Sequence, residues 1–149
     1  MKTSFVVLLL FLAILQVQAQ KLKSENVPAS IRDALSKNYA VTNADWEMVG
    51  SGFEASFEQK GKEMSVVFDK QGNVLEAETE INKNELPQAV MDILKKEFAG
   101  FNIKEAERIE STGIITYEVE VKKGKESFEL IFDDQKIIKK VINESEETN

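Results

Sequence analysis

The chain has 149 residues, of which 42% are hydrophobic and 30% are charged, and its formal net charge is −7. This length and composition fit one folded domain or two very small ones and argue against a disordered chain. The sequence contains no Cys and no His, which excludes disulfides, thiol nucleophiles and the usual transition-metal ligands. We therefore expect no cofactor, no metal site and no catalytic residues.

Residues 1–19 predict a signal peptide. Lys2 gives a positive start, residues 5–17 are almost unbroken apolar sequence, and Ala19 offers a small residue for cleavage. The apolar run is shorter than the about 20 residues that a membrane span needs, although an uncleaved anchor remains the alternative. Cleavage after Ala19 would leave a periplasmic or secreted protein that begins at Gln20.

The predicted mature chain is strongly acidic. Loss of Lys2 with the signal peptide leaves 18 basic residues against 26 acidic residues, a net charge of −8. Such a charge disfavours binding to nucleic acid and to anionic membranes. The partner that we expect is a protein or a peptide.

Two helices are predicted from apolar residues that recur with helical spacing. After a lead-in at residues 20–26 that we expect to be mobile, one helix spans 28–39 and the other spans 85–99. Pro28 and Pro87 suit the first turn of a helix, and Gly100 suits its end. The shared apolar faces consist of Ile31, Ala34, Leu35 and Tyr39 in the first helix and Val90, Ile93, Leu94 and Phe98 in the second.

Each predicted helix is followed by four segments in which apolar and polar residues alternate, the pattern of strands with one buried face. These segments are 44–49, 53–58, 64–68 and 74–81, and then 103–110, 115–122, 128–132 and 136–142. The order predicts an α+β fold of two tandem repeats. Each repeat would be one helix followed by a four-stranded antiparallel meander, with the helices packed on one sheet face.

The predicted organisation is a signal peptide at 1–19, repeats at 20–81 and 82–143, and an acidic tail at 144–149. The linker at 82–84 is short, so we expect the repeats to pack as one body with an eight-stranded sheet. The last turn of the second repeat carries Lys136 where the first carries Gly72, and it must therefore use another geometry.

Several segments together resemble a known family. They are Val27-Pro28, Trp46-Glu47, Phe53–Phe57, Gly61–Glu63, the Phe68-Asp69-x-x-Gly72 turn and Glu78–Ile81. They look like the PepSY-like proteins exported by Bacteroidetes, which are also described as beta-lactamase-inhibitor-like. The second repeat departs at Lys136 and lacks the Glu-Thr-Glu-Ile run. The resemblance implies a periplasmic or secreted helix-plus-sheet protein without known catalysis, and related PepSY domains imply inhibition or regulation of peptidases.

Acidic pairs are the candidate chemical groups. Glu78 with Glu80, and Glu118 with Glu120, lie two residues apart, so in a strand each pair points to one sheet face. Asp133 and Asp134 form a third, adjacent pair. Acid–base catalysis would need a pKa raised by burial, and we expect this face to be solvated. The predicted acidic row consists of Glu54, Glu58, Glu76, Glu78, Glu80, Glu118, Glu120 and Glu129.

The acidic row has two interpretations, a solvated surface that aids solubility or a docking face for a basic protein or peptide. Trp46 likewise has two, an exposed contact or a core residue under the helix. Residues 69–73 could suggest a calcium loop, but the ligand spacing is wrong and favours a turn. The candidate partner-contact residues are Trp46, Glu78, Glu80, Glu118 and Glu120.

The sequence therefore favours an exported, non-catalytic binding module, a peptidase inhibitor or regulator that acts through a sheet face. The alternative is a periplasmic protein that binds a small ligand or a cation in a cleft between the two repeats. Binding of a basic partner through charge would be sensitive to salt, whereas a carried ligand would raise the melting temperature.

Overall fold

The computed structural model of the chain describes residues 20–133 and 135–143. The predicted signal peptide at 1–19 and the predicted acidic tail at 144–149 lie outside these residues. The described chain is an α+β fold in which two α-helices pack on one antiparallel sheet.

The sheet is a meander of nine strands, each paired with the strands before and after it in sequence. The alternating segments of the sequence predict eight strands, so the sheet has one more than expected. In chain order, the strands are β1 Gln20–Leu22, β2 Asp45–Val49, β3 Gly52–Gln59, β4 Lys62–Phe68, β5 Val74–Glu80, β6 Asn102–Ser111, β7 Ile114–Lys123, β8 Glu126–Phe132 and β9 Ile137–Asn143.

The additional strand comes from the lead-in, and the expectation that residues 20–26 are mobile is wrong. β1 pairs with β2 in a register that sets Leu22 opposite Trp46, and a short 3-10 helix follows at Ser24–Asn26. Leu22 also packs against the hydrophobic core, so its burial offsets part of the entropy lost on ordering this segment.

The helices are α1 Ala29–Tyr39 and α2 Gln88–Glu97, and each follows a proline. Each helix buries its predicted apolar face against the four strands that follow it. The first core cluster contains Val27, Ile31, Leu35, Trp46, Ala55, Val66 and Phe68. The second contains Leu86, Val90, Leu94, Phe98, Ala106, Val119, Val121, Leu130 and Phe132.

The two helix-plus-strand segments share one continuous sheet. Residues 76–80 of β5 pair antiparallel with residues 107–111 of β6. The connection to α2 contains a 3-10 helix, Lys83–Glu85, whose Glu85 carboxylate accepts hydrogen bonds from Lys62 Nζ at 2.7 and 2.9 Å. The sheet therefore has no break between the two segments.

The two Phe-Asp turns differ, as the missing glycine predicts. In the first, Asp69 N–H donates to the carbonyl of Asn73, four residues on, and Gly72 has a positive φ of 86°. In the second, Asp133 N–H donates to the carbonyl of Lys136, three residues on. The second turn is thus one residue tighter and needs no glycine at Lys136.

The Asp69 carboxylate is engaged within its turn. It accepts hydrogen bonds from the backbone N–H groups of Gln71 and Asn73, each at 2.8 Å, and from the Asn73 side chain at 2.7 Å. The Asn73 side-chain bond is the main cause of the lowered pKa of Asp69. These contacts agree with the turn interpretation rather than a calcium loop.

Candidate functional site: the open face of the sheet

The helices cover one face of the sheet, and we call the opposite face the open face. Since paired residues in antiparallel strands share a face, the strand register assigns each side chain. Acidic residues occupy the open face on every strand from β2 to β8. They are Asp45, Glu47, Glu54, Glu58, Glu63, Glu76, Glu78, Glu80, Glu105, Glu107, Glu118, Glu120 and Glu129.

Basic residues on the open face lie near its margins. The register assigns Lys21 on β1, Lys122 near the end of β7 and Lys139 on β9. Lys139 acts on Glu118, whose pKa it lowers against larger opposing effects. The middle of the face, over β3 to β6, is therefore acidic.

The structure places all four acidic candidate residues on this face. Glu80, Glu107 and Glu118 are cross-strand neighbours in one row. Glu78 is opposite Ser65 on β4 and Ile109 on β6, while Glu120 is opposite Glu129 on β8. The other members of the predicted acidic row, Glu54, Glu58, Glu76 and Glu129, share the face as well.

Trp46 lies on the other face, and its prediction as an exposed contact is wrong. Its side chain is 3% exposed and belongs to the core under α1. The small Ala55 is its cross-strand partner, and its ring centroid is 6.3 Å from that of Phe68. Ala55 leaves space for the large indole, which explains the burial of Trp46.

A pocket of about 360 Å³ opens on the acidic middle of the open face. Its lining crosses β2 to β6. The lining residues are Asp45, Ser56, Phe57, Glu58, Glu63, Met64, Ser65, Glu78 and Glu107. This volume is near the lower limit of typical ligand pockets, and five of the nine lining residues carry carboxylates.

Over β7 and β8, two residues of the open face are shielded from water. Ile131 is only 1% exposed and Thr116 is 5% exposed, although no helix of the described residues packs on this face. Ile131 pairs with Glu118 and Lys139, and Thr116 pairs with Ile109. The long side chains of Glu118 and Lys139 flank Ile131 on the neighbouring strands, and their stems can exclude water from it.

Two open-face glutamates have hydrogen-bond donors. The hydroxyl of Ser65 donates to Glu54 at 2.6 Å, and the hydroxyl of Ser127 donates to Glu120 at 2.9 Å. Among the described residues, Glu78 and Glu107 have no such donor, and the charges acting on them are acidic. Carboxylates in this setting are costly to ionise.

Partial burial and the closeness of the glutamates raise the pKa values of several carboxyl groups on the open face. Burial, followed by the charges of Glu107, Glu76, Glu54 and Glu118, raises the pKa of Glu78 to about 8. Burial, followed by neighbouring glutamates, raises the pKa of Glu118 to about 7. Burial also raises the pKa values of Glu76 and Glu107. The expectation of a fully solvated face is therefore wrong at these residues.

The acidic row predicted from sequence omitted Glu105 and Glu107 of β6. Their alternation with Ala106 is a signal that could have placed them on the face, but a register irregularity between Ile103 and Glu105 shifts the alternation. Asp45, Glu47 and Glu63 were also omitted. Asp45 and Glu47 alternate with Trp46 on β2, so the same signal was present there, whereas Glu63 lies outside the predicted segment 64–68.

The open face offers carboxylates, which can accept hydrogen bonds and attract positive charge. No group of three or more acidic residues is placed to hold a metal ion in the part of the chain that the structure describes. The same residues contain no helix long and apolar enough to cross a membrane.

The fold and the sequence point to one family. The family model described as beta-lactamase-inhibitor-like, PepSY-like matches residues 14–76 and 51–140. The chain belongs to this PepSY-like family. The resemblance seen in the sequence is thereby confirmed, and no match was found among curated proteins.

Solved structures from Bacteroides have the same fold as this PepSY-like chain. A BLIP-like protein from Bacteroides fragilis is 26% identical, with a TM-score of 0.67 over 82% of this chain and 90% of that one. A DUF2874 family protein from Bacteroides uniformis is 23% identical, with a TM-score of 0.71 over 77% of this chain and 88% of that one. A protein from Bacteroides eggerthii that is named as periplasmic is 18% identical, with a TM-score of 0.73 over 78% of this chain and 88% of that one.

Proposed function

We propose that the chain is an exported, non-catalytic binding module that holds a protein or peptide partner on its open face. The observation that carries the proposal is the acidic open face itself, which no helix of the described residues covers and which contains a pocket. Export to the periplasm is supported by the sequence of residues 1–19 and by the periplasmic name of a structural relative. We further propose that two copies of one helix-plus-strand unit, 20–81 and 82–143, build the face.

Inhibition or regulation of an exported hydrolase is the form of binding that we propose. The description of the family as beta-lactamase-inhibitor-like supports it, and the PepSY resemblance favours a peptidase. The absence of Cys and His from the chain agrees with a role in binding rather than in catalysis. The partner's hydrolytic activity should fall when the mature chain is added.

The alternative, a ligand-binding or cation-binding protein, does not have its expected site. Because β5 and β6 are neighbouring strands, no cleft separates the two helix-plus-strand segments in the described residues. The pocket lies instead on the open face. A small ligand that raises the melting temperature, with no protein captured at any salt concentration, would favour this alternative over our proposal.

Charge reversal on the open face tests the proposal. The mature chain, 20–149, is used to capture a partner from a periplasmic extract of a Bacteroides species, and affinity is then measured by surface plasmon resonance. Replacing Glu78→Lys together with Glu80→Lys is expected to weaken binding at least about tenfold at low salt, because both positions then carry a positive charge that repels a basic partner. Added salt should weaken binding by the wild type.

The matched control reverses two exposed acidic residues of α2, Asp92→Lys and Glu97→Lys. This control changes the net charge equally but leaves the open face intact, so its affinity should remain within about twofold of the wild type. Circular dichroism checks that both variants fold. Equal affinities for the face variant and the wild type would contradict the proposal, as would equal losses in both variants.

A further inference from the structure

Resting on the proposed function, we propose that the bound partner presents a Lys- or Arg-bearing segment whose cationic side chain enters the open-face pocket among Glu58, Glu63, Glu78 and Glu107. The partner class is thus a basic protein segment. The docked cation would take the place of protons that the empty face holds.

The pocket collects carboxylates from consecutive strands. Glu58 and Glu63 are cross-strand partners on β3 and β4, Glu78 lies on β5, and Glu107 lies on β6. Asp45 adds a fifth carboxylate from β2. The framework is a paired sheet rather than a mobile loop, so the carboxyl groups are fixed in place before a partner arrives.

The described residues, 20–133 and 135–143, place no basic side chain in the lining of this pocket. The charges that act on Glu78 come from Glu107, Glu76, Glu54 and Glu118. The cross-strand neighbours of Glu78, Ser65 and Ile109, are uncharged. A cationic group from outside would therefore gain attraction from several carboxylates while reducing the repulsion among them.

A protein segment fits the surface better than an isolated cation because the acidic surface extends beyond the pocket. Glu105, Glu118, Glu120 and Glu129 continue it over β6, β7 and β8. Several basic residues along one segment could contact the pocket and this extension together, and binding through linked contacts strengthens affinity. A long Lys or Arg stem could also cover Ile109 at the floor of the face.

Protons should leave the face when the segment binds. A cation favours the ionised form of a carboxylate and so lowers its pKa. The groups facing Glu78 are Glu54 and Glu58 from β3, Glu63 from β4, Glu76 and Glu80 from β5, Glu107 from β6 and Glu118 from β7, with Lys139 of β9 beyond Glu118. Burial and the charges of Glu107, Glu76, Glu54 and Glu118 raise the pKa of Glu78 to about 8. A cation that docks beside Glu78 at neutral pH should therefore displace its proton.

Isothermal titration calorimetry tests the proposal on mature wild-type chain 20–149. The probe is a short amidated peptide with Lys at alternate positions, and its matched control has Glu at those positions. The Lys peptide should bind at least about tenfold more tightly at about pH 8.5 than at about pH 6, with net proton release in buffers of different ionisation enthalpy. The Glu peptide and free lysine amide should give no measurable heat of binding.

A double variant, Glu78→Gln with Glu107→Gln, locates the effect. It should lose most of the proton release and bind the Lys peptide at least about tenfold more weakly at about pH 8.5, whereas Glu97→Gln on α2 should match the wild type. The inference is overturned if the Lys peptide does not bind, if free lysine amide binds equally well, or if the double variant releases as many protons as the wild type. If the captured partner remains sensitive to the Glu78→Lys, Glu80→Lys reversal while the Lys peptide does not bind, this inference fails and the proposed function stands.

Discussion

Replacing Phe132 with Ala is expected to lower the free energy of unfolding by about 3–5 kcal/mol. Phe132 lies at the end of β8, is 0% exposed and packs in the core cluster beneath α2. Truncation removes most of its buried ring and leaves a cavity that the paired strands cannot close. For a chain without disulfides, this loss is a large part of the total stability.

Urea unfolding followed by circular dichroism measures the effect. Ile142→Ala is the control, because Ile142 is 67% exposed and its truncation should change the free energy by less than about 0.5 kcal/mol. Phe68→Ala makes the matched truncation under α1 and should cost about as much as Phe132→Ala. If Phe132→Ala and the wild type unfold at similar urea concentrations, this description of the core is contradicted.

The same variants test whether the sheet unfolds as one unit. Pairing of β5 with β6 joins the strands beneath α1 to those beneath α2. We therefore expect Phe68→Ala and Phe132→Ala each to shift a single cooperative transition. Two separate transitions, with only one displaced by each variant, would show that the shared sheet does not couple the two cores.

Raising the pH from about 5 to about 9 is expected to lower the free energy of unfolding by about 2–5 kcal/mol, chiefly through Glu78. The folded-state pKa of Glu78 is raised from 4.5 to about 8. Between these values, the folded state keeps a proton that the unfolded state has lost. Stability contributed by this group is complete below about pH 4.5 and is lost as the pH rises to about 8.

The other acidic groups with strongly shifted pKa values do not oppose this loss of stability between about pH 5 and about pH 9. The raised pKa of Glu118, about 7, acts in the same pH range. The pKa of Glu85 is lowered to about 2, mainly by its hydrogen bond from Lys62, so that group acts only as the pH falls below about 4.5. The loss at alkaline pH therefore belongs to the crowded open face.

Glu78→Gln provides the decisive comparison. At about pH 9 the variant should be more stable than the wild type, while at about pH 5 the two should have similar stability, because glutamine resembles the protonated acid. Glu80→Gln is the control at an exposed position of the same strand. Chemical denaturation across the pH range gives the slopes. If the free energy of unfolding of Glu78→Gln falls with pH as steeply as that of the wild type, Glu78 is not the group responsible for the loss.

Much of the local structure follows from the sequence, because short-range periodicity determines it. The apolar spacing of Ile31 and Leu35, and of Val90 and Leu94, marks the buried sides of α1 and α2. Alternation likewise separates Leu130 and Phe132 from Glu129 on β8. The acidic face follows from the same alternation.

Features that depend on long-range pairing could not be predicted in this way. β1 has only three residues, and its order depends on contacts of Leu22 with a strand more than twenty residues away. Trp46 is buried because Ala55, on the next strand, leaves room for it. The raised pKa of Glu78 depends on neighbours from β3, β6 and β7, which only the folded sheet brings together.

Carboxylate footprinting of the captured complex tests directly whether the partner occupies the open face. Carbodiimide labelling with mass spectrometry would compare each acidic side chain in the free and bound chain. We expect lower labelling in the complex for Glu58, Glu63, Glu107 and Glu120 on the open face, with Asp33, Asp92 and Glu97 on the exposed sides of the helices unchanged. Protection of the helix carboxylates alone, with the open face labelled as in the free chain, would contradict it.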